Sequence, residues 1–253
     1  MFAGEPAQTQ FDLQFRIAGI PVRVHPLFWL MAFLIGASGG ERLALVIWMA
    51  AVFVSILVHE LGHAFTMRYF GQDARIVLYM MGGLTIPDSS PWRVNSGRRV
   101  RGPLPQILIS AAGPGAGFLL AGLVTAIVFA VGGLVRFHLA HGFVPIPVVA
   151  LPEAANEQWY AVVESLLWVN IFWGLMNLVP VYPLDGGQIA REVLVAKDPW
   201  EGVVKSLWLS VVVGGAVALL GFVVLHDRFL GILFGLLAFS NFLAIQNLRG
   251  RVW

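Results

Sequence analysis

A His-Glu-x-x-His sequence occupies the middle of a long apolar stretch of the chain. Its histidines, His59 and His63, are four residues apart, so on a helix both imidazoles project from one face and can bind the same metal ion. Glu60 follows the first histidine, where its carboxylate can act as a general base toward water activated by the metal. The spacing therefore predicts a metal site equipped for hydrolysis.

The surroundings of this motif strengthen the prediction. The apolar run from about residue 43 to 67 is long enough for a transmembrane helix. Ionisable side chains are costly inside such a helix, so two histidines and a glutamate together indicate a functional site. The structural alternative is a pair of buried histidines that donate to backbone carbonyls, and the glutamate beside them disfavours it.

The composition is that of a multi-span membrane protein. Of 253 residues, 58% are hydrophobic and 12% are charged, whereas soluble domains are about 45–50% apolar and about 25% charged. The formal net charge of +2 gives no support for nucleic-acid binding. The chain has no cysteine, so a metal must be held by His, Asp or Glu. The first 25 residues lack the apolar core of a signal peptide, and we expect no cleavage there.

The apolar stretches predict an all-α polytopic membrane protein with about six transmembrane helices and short N-terminal and membrane-associated β segments. We expect a single domain, 1–253, in which 1–25 is a cytoplasmic N-terminal β segment, 43–187 is the catalytic core and 203–247 supplies additional spans. The predicted spans are 27–37, 43–68, 104–135, 160–179, 203–225 and 229–245.

Between the spans, the pattern changes. Alternation from Phe11 to Val24, broken by a glycine, predicts two short strands or a hairpin, and 74–86 predicts a strand pair or a membrane-dipping β segment. The arginine-rich segment 87–103 is expected to be a solvated loop at the headgroups. The stretch 136–158 contains three prolines and predicts a loop. His138 and His141 there have no acidic neighbour, so a second metal site is not predicted.

The positive charges predict an orientation. With six spans and both termini in the cytoplasm, most of the 16 lysines and arginines lie on the cytoplasmic side. Only Arg42, Arg136 and Arg228 fall outside. We therefore expect cytoplasmic N- and C-termini, with His59 below the cytoplasmic interface.

A catalytic metal site of this kind usually has a third protein ligand. Asp185 follows a segment with two prolines and precedes Gly186 and Gly187. Irregular backbone is tolerated at membrane depth only where it lines a protein cavity, and glycines let it approach another group closely. Asp185 is the favoured ligand, and its alternative role is the N-cap of a helix that begins near Gln188. The other acids lie in polar loops or on the outer side: Asp88, Glu153, Glu157, Glu164, Asp198 and Asp227.

Two motifs together resemble the site-2 protease family of intramembrane zinc metalloproteases. They are His59-Glu60-Leu61-Gly62-His63 and the stretch from Asn177 to Gly187, which contains Pro180, Pro183 and Asp185. The resemblance implies one Zn²⁺ per chain, bound by His59, His63 and Asp185, with Glu60 activating water. It also implies that Asn177 helps to hold the substrate backbone or the oxyanion.

The resemblance extends beyond these motifs and also has limits. Gly82 and Gly83 are similar to the family's substrate-presenting edge strand, and 19–25 is similar to a subgroup with spans added around a three-helix core. The family often has an asparagine a few residues after the Gly-Pro of the third span, where this chain has Gly115-Ala116-Gly117. We also expect the short form of the family, without PDZ or cystathionine-β-synthase-like regulatory domains.

The family resemblance implies hydrolysis of a peptide bond in or near the transmembrane segment of a membrane-protein substrate. The expected location is a bacterial cell membrane, with the lipid bilayer as a partner. A regulatory membrane partner or a homo-oligomer stays open, and nucleic acid is not expected as a partner.

Three other functions compete with this one. A non-catalytic membrane receptor or scaffold would have no reason to keep Glu60. A metal transporter spreads polar ligands over several spans, and the third span holds no charged residue after Pro105. A membrane metalloprotease with glutamate as its third ligand is disfavoured because no glutamate after the motif lies in a comparable apolar, glycine-flanked setting.

Overall fold

A computed structural model describes residues 5–37, 41–80, 82–88, 102–140, 142, 144–152 and 155–249. The chain divides into two compact units. One contains 5–100 and 112–174, and the other contains 1–4, 101–111 and 175–253. Most of the expected basic loop, 89–101, lies outside the described residues, as does His141.

Helices dominate the described residues. Their bounds are α1 Pro26–Gly36, α2 Arg42–Tyr69, α3 Pro103–Ala130, α4 Glu157–Asn177, α5 Asp185–Lys197, α6 Gly202–Val223 and α7 Arg228–Arg249. By length and composition, five of these are able to cross a membrane: α2, α3, α4, α6 and α7. This result confirms a mostly helical membrane protein with small sheets.

The predicted number of six spans is not confirmed. The first predicted span corresponds to α1, which has 11 residues and is therefore about 17 Å long. The hydrocarbon core of a bilayer is about 30 Å thick, so α1 alone does not cross it. The helix begins after His25, whose side chain accepts a hydrogen bond from the Leu27 backbone N–H.

The outward face of α3 suits a lipid environment. Leu119, Leu123 and Ile127 are four residues apart, so they lie along one side of the helix. They are 77%, 58% and 55% exposed, respectively. A continuous apolar strip on a single helix is unusual against water and ordinary against acyl chains.

The first sheet has four strands in the order β1-β2-β3-β4. Its strands are β1 Leu13–Ile17, β2 Ile20–Val24, β3 Ala74–Tyr79 and β4 Gly82–Pro87. β1 and β2 form an antiparallel hairpin, and both turn residues, Ala18 and Gly19, have positive φ, as a two-residue hairpin with a right-handed strand twist requires. β3 and β4 also pair antiparallel, so both strand predictions are confirmed.

The link between these hairpins was not predicted. β2 pairs parallel with β3, although α1 and α2 separate them along the chain. Parallel neighbours need such a crossover, and the pattern within each hairpin gives no indication of its long-range partner. As a result, the N-terminal hairpin and the hairpin after α2 form a single sheet.

The second sheet corrects the prediction of a loop over 136–158. β5 Leu134–Ala140 and β6 Val144–Ala150 form an antiparallel pair. Proline cannot donate to a strand ladder, which is why Pro145 and Pro147 favoured a loop. The two prolines are two residues apart, so both ring nitrogens lie at the same edge of β6. A two-stranded sheet leaves that edge without a neighbouring strand, and the prolines are accommodated there.

Candidate metal centre

α2 brings the three residues of the first motif together. His59, Glu60 and His63 are all buried, and one ligand atom from each lies within 4.8 Å of the others. The Nε2 atoms of the two histidines are 3.2 Å apart. In the part of the chain that the structure describes, these three side chains form the one group of His, Asp and Glu residues able to hold a metal ion. The structure therefore brings together the three residues that the spacing predicted, in a group that could hold a metal ion.

A glycine of α3 leaves space beside the two imidazoles. A Cβ atom built on Gly113 would contact His63 and lie 2.7 Å from the Nε2 of His59. α2 and α3 pack closely here, because a Cβ on Gly62 would collide with the Ala112 carbonyl. The contacts of Gly62 and Gly113 show that glycines on both helices permit this close approach. The space kept open by Gly113 adjoins the Nε2 atoms of both histidines.

The donor set and its spacing fit a zinc ion. Two imidazole nitrogens at about 2.0–2.1 Å from a tetrahedral zinc lie about 3.3 Å apart. The observed separation of the Nε2 atoms is 3.2 Å. Imidazole and carboxylate are ligands that zinc accepts, and no thiolate is available in this chain. The separation of the two Nε2 atoms therefore matches the one that such an ion requires.

β4 holds the side chain of Glu60. The hydroxyl of Thr85 lies 2.7 Å from Glu60 Oε2 and 3.1 Å from the Glu60 backbone carbonyl oxygen. A Cβ atom built on Gly83 would collide with the Glu60 carboxylate. The absence of a side chain at position 83 is therefore what allows the strand and the carboxylate to meet.

Gly82 is constrained in two ways. Its φ is +108°, and an added Cβ would lie 2.7 Å from the Trp173 ring. Other residues are strained at that φ, so this position favours glycine. Gly82 and Gly83 both lie in β4, within the segment predicted to form strands, and Gly83 adjoins the general-base candidate Glu60. Thr85 was missed, although strand alternation puts it on the same face as Gly83.

Asp185 and Asn177 belong to the other compact unit. Asp185 is the first residue of α5 and is buried, and Asn177 is the last residue of α4. α5 begins at Asp185, three residues before the predicted start at Gln188. The alternative N-cap role of Asp185 is wrong, because Leu184 occupies the N-cap position. The role of Asp185 as third metal ligand stays a prediction, as does the role of Asn177 in substrate binding.

The glycines after Asp185 pack against the segment that leads to it. A Cβ on Gly186 would collide with the carbonyl of Leu178, and one on Gly187 would collide with the backbone of Val181 and Tyr182. The predicted close approach of backbone is confirmed, and the backbone approached is that of this segment. The two glycines thus fold the segment into a tight return just before α5.

Polar side chains of the last two helices hold the same segment. The backbone N–H of Tyr182 donates to Ser210 Oγ at 3.0 Å, and Asn241 Nδ2 donates to the Tyr182 carbonyl at 2.6 Å. Both side chains are at least 98% buried. Sequence reasoning missed Ser210 and Asn241. Polar residues inside long apolar runs were the available indication.

Known proteins resemble this chain over most of its length. The model of Peptidase family M50 matches residues 47–221, which is more than half of the chain. Zinc metalloprotease MJ0392 from Methanocaldococcus jannaschii is 28% identical over 237 residues, covering 92% of this chain and 56% of that protein. Rip3 from Mycobacterium tuberculosis is 28% identical over 194 residues, covering 71% of this chain and 42% of Rip3. The chain thus spans about half the length of these curated relatives.

A solved structure shares the fold. The site-2 protease from Methanocaldococcus jannaschii superposes with a TM-score of 0.54 at 21% sequence identity, covering 93% of this chain and 95% of that chain. This likeness concerns the fold, and the family match concerns the sequence that carries both motifs. The resemblance inferred from the two motifs is confirmed: the chain belongs to Peptidase family M50, the site-2 protease family.

Proposed function

We propose that this protein is an intramembrane zinc metalloendopeptidase of the site-2 protease type. It would hydrolyse a peptide bond in or near the transmembrane segment of a membrane-protein substrate. The observation that carries the proposal is the buried cluster of His59, Glu60 and His63 within α2, a helix long and apolar enough to cross a membrane. The relative MJ0392 carries the name zinc metalloprotease, which supports the same activity.

One Zn²⁺ per chain is the proposed cofactor. His59 and His63 would hold it through their Nε2 atoms, and Asp185 would supply the third ligand. Gly113 would keep the space beside both imidazoles free. When bound, zinc supplies Lewis acidity toward water and toward the carbonyl of the scissile bond.

Glu60 would perform the proton transfers. Its carboxylate accepts a proton as the water oxygen forms a bond to the scissile carbonyl carbon. The same proton then passes to the leaving amine as the carbon–nitrogen bond breaks. Asn177 would donate a hydrogen bond to the carbonyl oxygen as negative charge develops on it.

β4 would present the substrate to Glu60. An amide in an intact helix is shielded by its own hydrogen bonds, so the substrate must unwind locally. β4 is an end strand of the first sheet, and an extended segment can add to such an edge through main-chain hydrogen bonds. Gly82 and Gly83 would let that segment come close to the Glu60 carboxylate.

The proposed location is a bacterial cell membrane, with both termini in the cytoplasm. This orientation requires α1 and its flanking residues to complete a sixth crossing beside the five long helices. The proposed partners are the lipid bilayer and a membrane-protein substrate. Regulation would come from a second membrane protein or from another copy of the chain.

Co-expression with membrane-tethered regulators and remnant signal peptides tests the activity. Wild type should release fragments that a Glu60→Gln variant fails to release, because the amide cannot accept the proton from water. Purified Glu60→Gln should retain zinc, whereas Asp185→Ala should lose it, as measured by metal analysis. An Asp185→Ala protein with full zinc content and full activity would remove Asp185 from the site. Equal fragment patterns for wild type and Glu60→Gln across the panel would contradict the protease assignment.

A further inference from the structure

We propose that Thr85 is a positioning residue for catalysis, which fixes the Glu60 carboxylate through a hydrogen bond. Its Oγ1 lies 2.7 Å from Glu60 Oε2, within the range of a strong bond from a hydroxyl to a carboxylate. Glu60 is 5% exposed, so water competes little for this bond. The inference rests on the proposed function, because it gives Thr85 a role in the step that Glu60 performs.

The register of the first sheet determines where Thr85 lies. In the β3–β4 ladder, Thr85 pairs with Ile76, and Gly83 pairs with Leu78. Ile76 and Leu78 are both at least 99% buried, so burial opposes any slip of this pairing by one residue. Because side chains alternate along a strand, positions 83 and 85 are on one face of β4, and both contact Glu60. Position 83 gives the carboxylate room, and position 85 gives it a donor.

The carboxylate is contacted near both of its oxygens. The Thr85 hydroxyl donates to Oε2, and the backbone of β4 comes close to Oε1 at Gly83, where a Cβ atom would collide with it. A glutamate side chain has several rotatable bonds, and fixing it in advance lowers the entropy lost when the reactants are aligned.

A purely structural role for Thr85 predicts different behaviour. The hydroxyl also lies 3.1 Å from the Glu60 backbone oxygen, and a bond there would only fasten β4 to α2. Loss of such a structural hydrogen bond would lower the thermal stability of the protein and would change KM together with kcat. Loss of a positioning bond lowers kcat and leaves KM, zinc content and stability in place.

The test compares three variants of the full-length, zinc-loaded protein in detergent or in vesicles. Thr85→Val keeps the shape and removes the donor, and Thr85→Ser keeps the donor. Thr125→Val is the matched control, because its hydroxyl donates to the Ala121 carbonyl within α3. For a membrane-peptide substrate cleaved by wild type but not by Glu60→Gln, Thr85→Val should lower kcat about tenfold or more at unchanged KM. Thr85→Ser should restore most of the loss, and Thr125→Val should equal wild type.

Several outcomes would overturn the inference. One is a Thr85→Val enzyme with the kcat of wild type, and another is a rise in KM at unchanged kcat. A third is a parallel fall in thermal midpoint, zinc content and kcat that Thr85→Ser does not rescue. The failure of the proposed function gives a separate result, because wild type and Glu60→Gln would then be equally inactive. The role of Thr85 is therefore decided only with a substrate whose cleavage depends on Glu60.

Discussion

The two sheets of one compact unit differ in how they meet the rest of the protein. In the first sheet, β3 is buried over most of its length, and β4 lies so close to α2 that Gly83 and Thr85 both contact Glu60. In the second sheet, most residues of β5 are exposed, and β6 alternates between buried and exposed positions in its second half. Both sheets contain short antiparallel hairpins, so the difference lies in their surroundings.

The histidines follow the same division. His59 and His63 are buried and adjoin the first sheet through their neighbour Glu60, whereas His138 is exposed on β5. Close spacing of histidines occurs in both places along the sequence. Burial, an adjacent carboxylate and a glycine that leaves room for an ion occur together at His59 and His63. Among the described residues, the surroundings of His59 and His63 therefore favour metal binding, and those of His138 do not.

The largest effect on turnover is expected where the first sheet touches Glu60, the proposed general base. In Gly83→Val, the new side chain would occupy the position of the Glu60 carboxylate, and turnover should fall about a hundredfold or more. Zinc content, measured on the purified protein, should not change. The control is Ala150→Val, which adds similar bulk at an exposed position of β6 and should leave turnover unchanged. Retained turnover in Gly83→Val would show that added bulk in β4 affects catalysis no more than added bulk in β6.

A smaller effect, on zinc affinity, is expected at Gly113, where the backbone of α3 approaches His59 and His63. Gly113→Ala places a methyl group against both imidazoles and should weaken zinc affinity about tenfold or more. Gly115→Ala is the matched control, since a Cβ at Gly115 has nothing within 4 Å and the gain in helix propensity is the same. Competition with a chromophoric chelator measures both affinities. Equal affinities would mean that the space beside the imidazoles is not used by the ion.

Local patterns in the sequence were sufficient for the elements that carry the chemistry. The four-residue spacing of His59 and His63 requires only a helix, and α2 is one. The alternation before Val24 and the break at Gly19 likewise predicted β1 and β2, because a hairpin is a local structure. Five of the six predicted spans correspond to long apolar helices for the same reason, whereas the first corresponds to the short helix α1.

Features that depend on distant contacts could not be predicted in this way. Thr85 lies beside Glu60 because of strand register and close packing, and no pattern around position 85 indicates that partner. Pro145 and Pro147 argued against a strand, and their tolerance depends on the free edge of a two-stranded sheet. Ser210 and Asn241 bind the backbone of Tyr182 across 28 and 59 residues of sequence.

The smallest expected effect is that of acid on stability, and it concerns the acidic segment that precedes the first sheet. Arg23 of β2 contacts Asp12 at 2.8 Å and Glu5 at 2.9 Å, and Arg75 of β3 contacts the other oxygen of Glu5 at 2.6 Å. Burial by itself raises the pKa of Asp12, but hydrogen bonds from Thr9 and Arg23 outweigh it and lower the pKa from 3.8 to about 2. The folded state therefore binds this proton less readily than the unfolded state. The resulting stability is present above pH 3.8 and is lost as the pH falls toward about 2.

Amide hydrogen exchange between about pH 5 and about pH 2 distinguishes the two sheets. After correction for the intrinsic exchange rate, protection of β1 and β2 should decline as Asp12 is protonated, while protection of β5 and β6 should change little. In Asp12→Asn, which cannot titrate, the protection of β1 and β2 should be lower at the higher pH and should vary less with acid. A parallel decline of both sheets in wild type, or the same decline in Asp12→Asn, would contradict the prediction. The contact of Asp12 with Arg23 would then add no stability that is specific to the first sheet, whose strand β4 contacts Glu60.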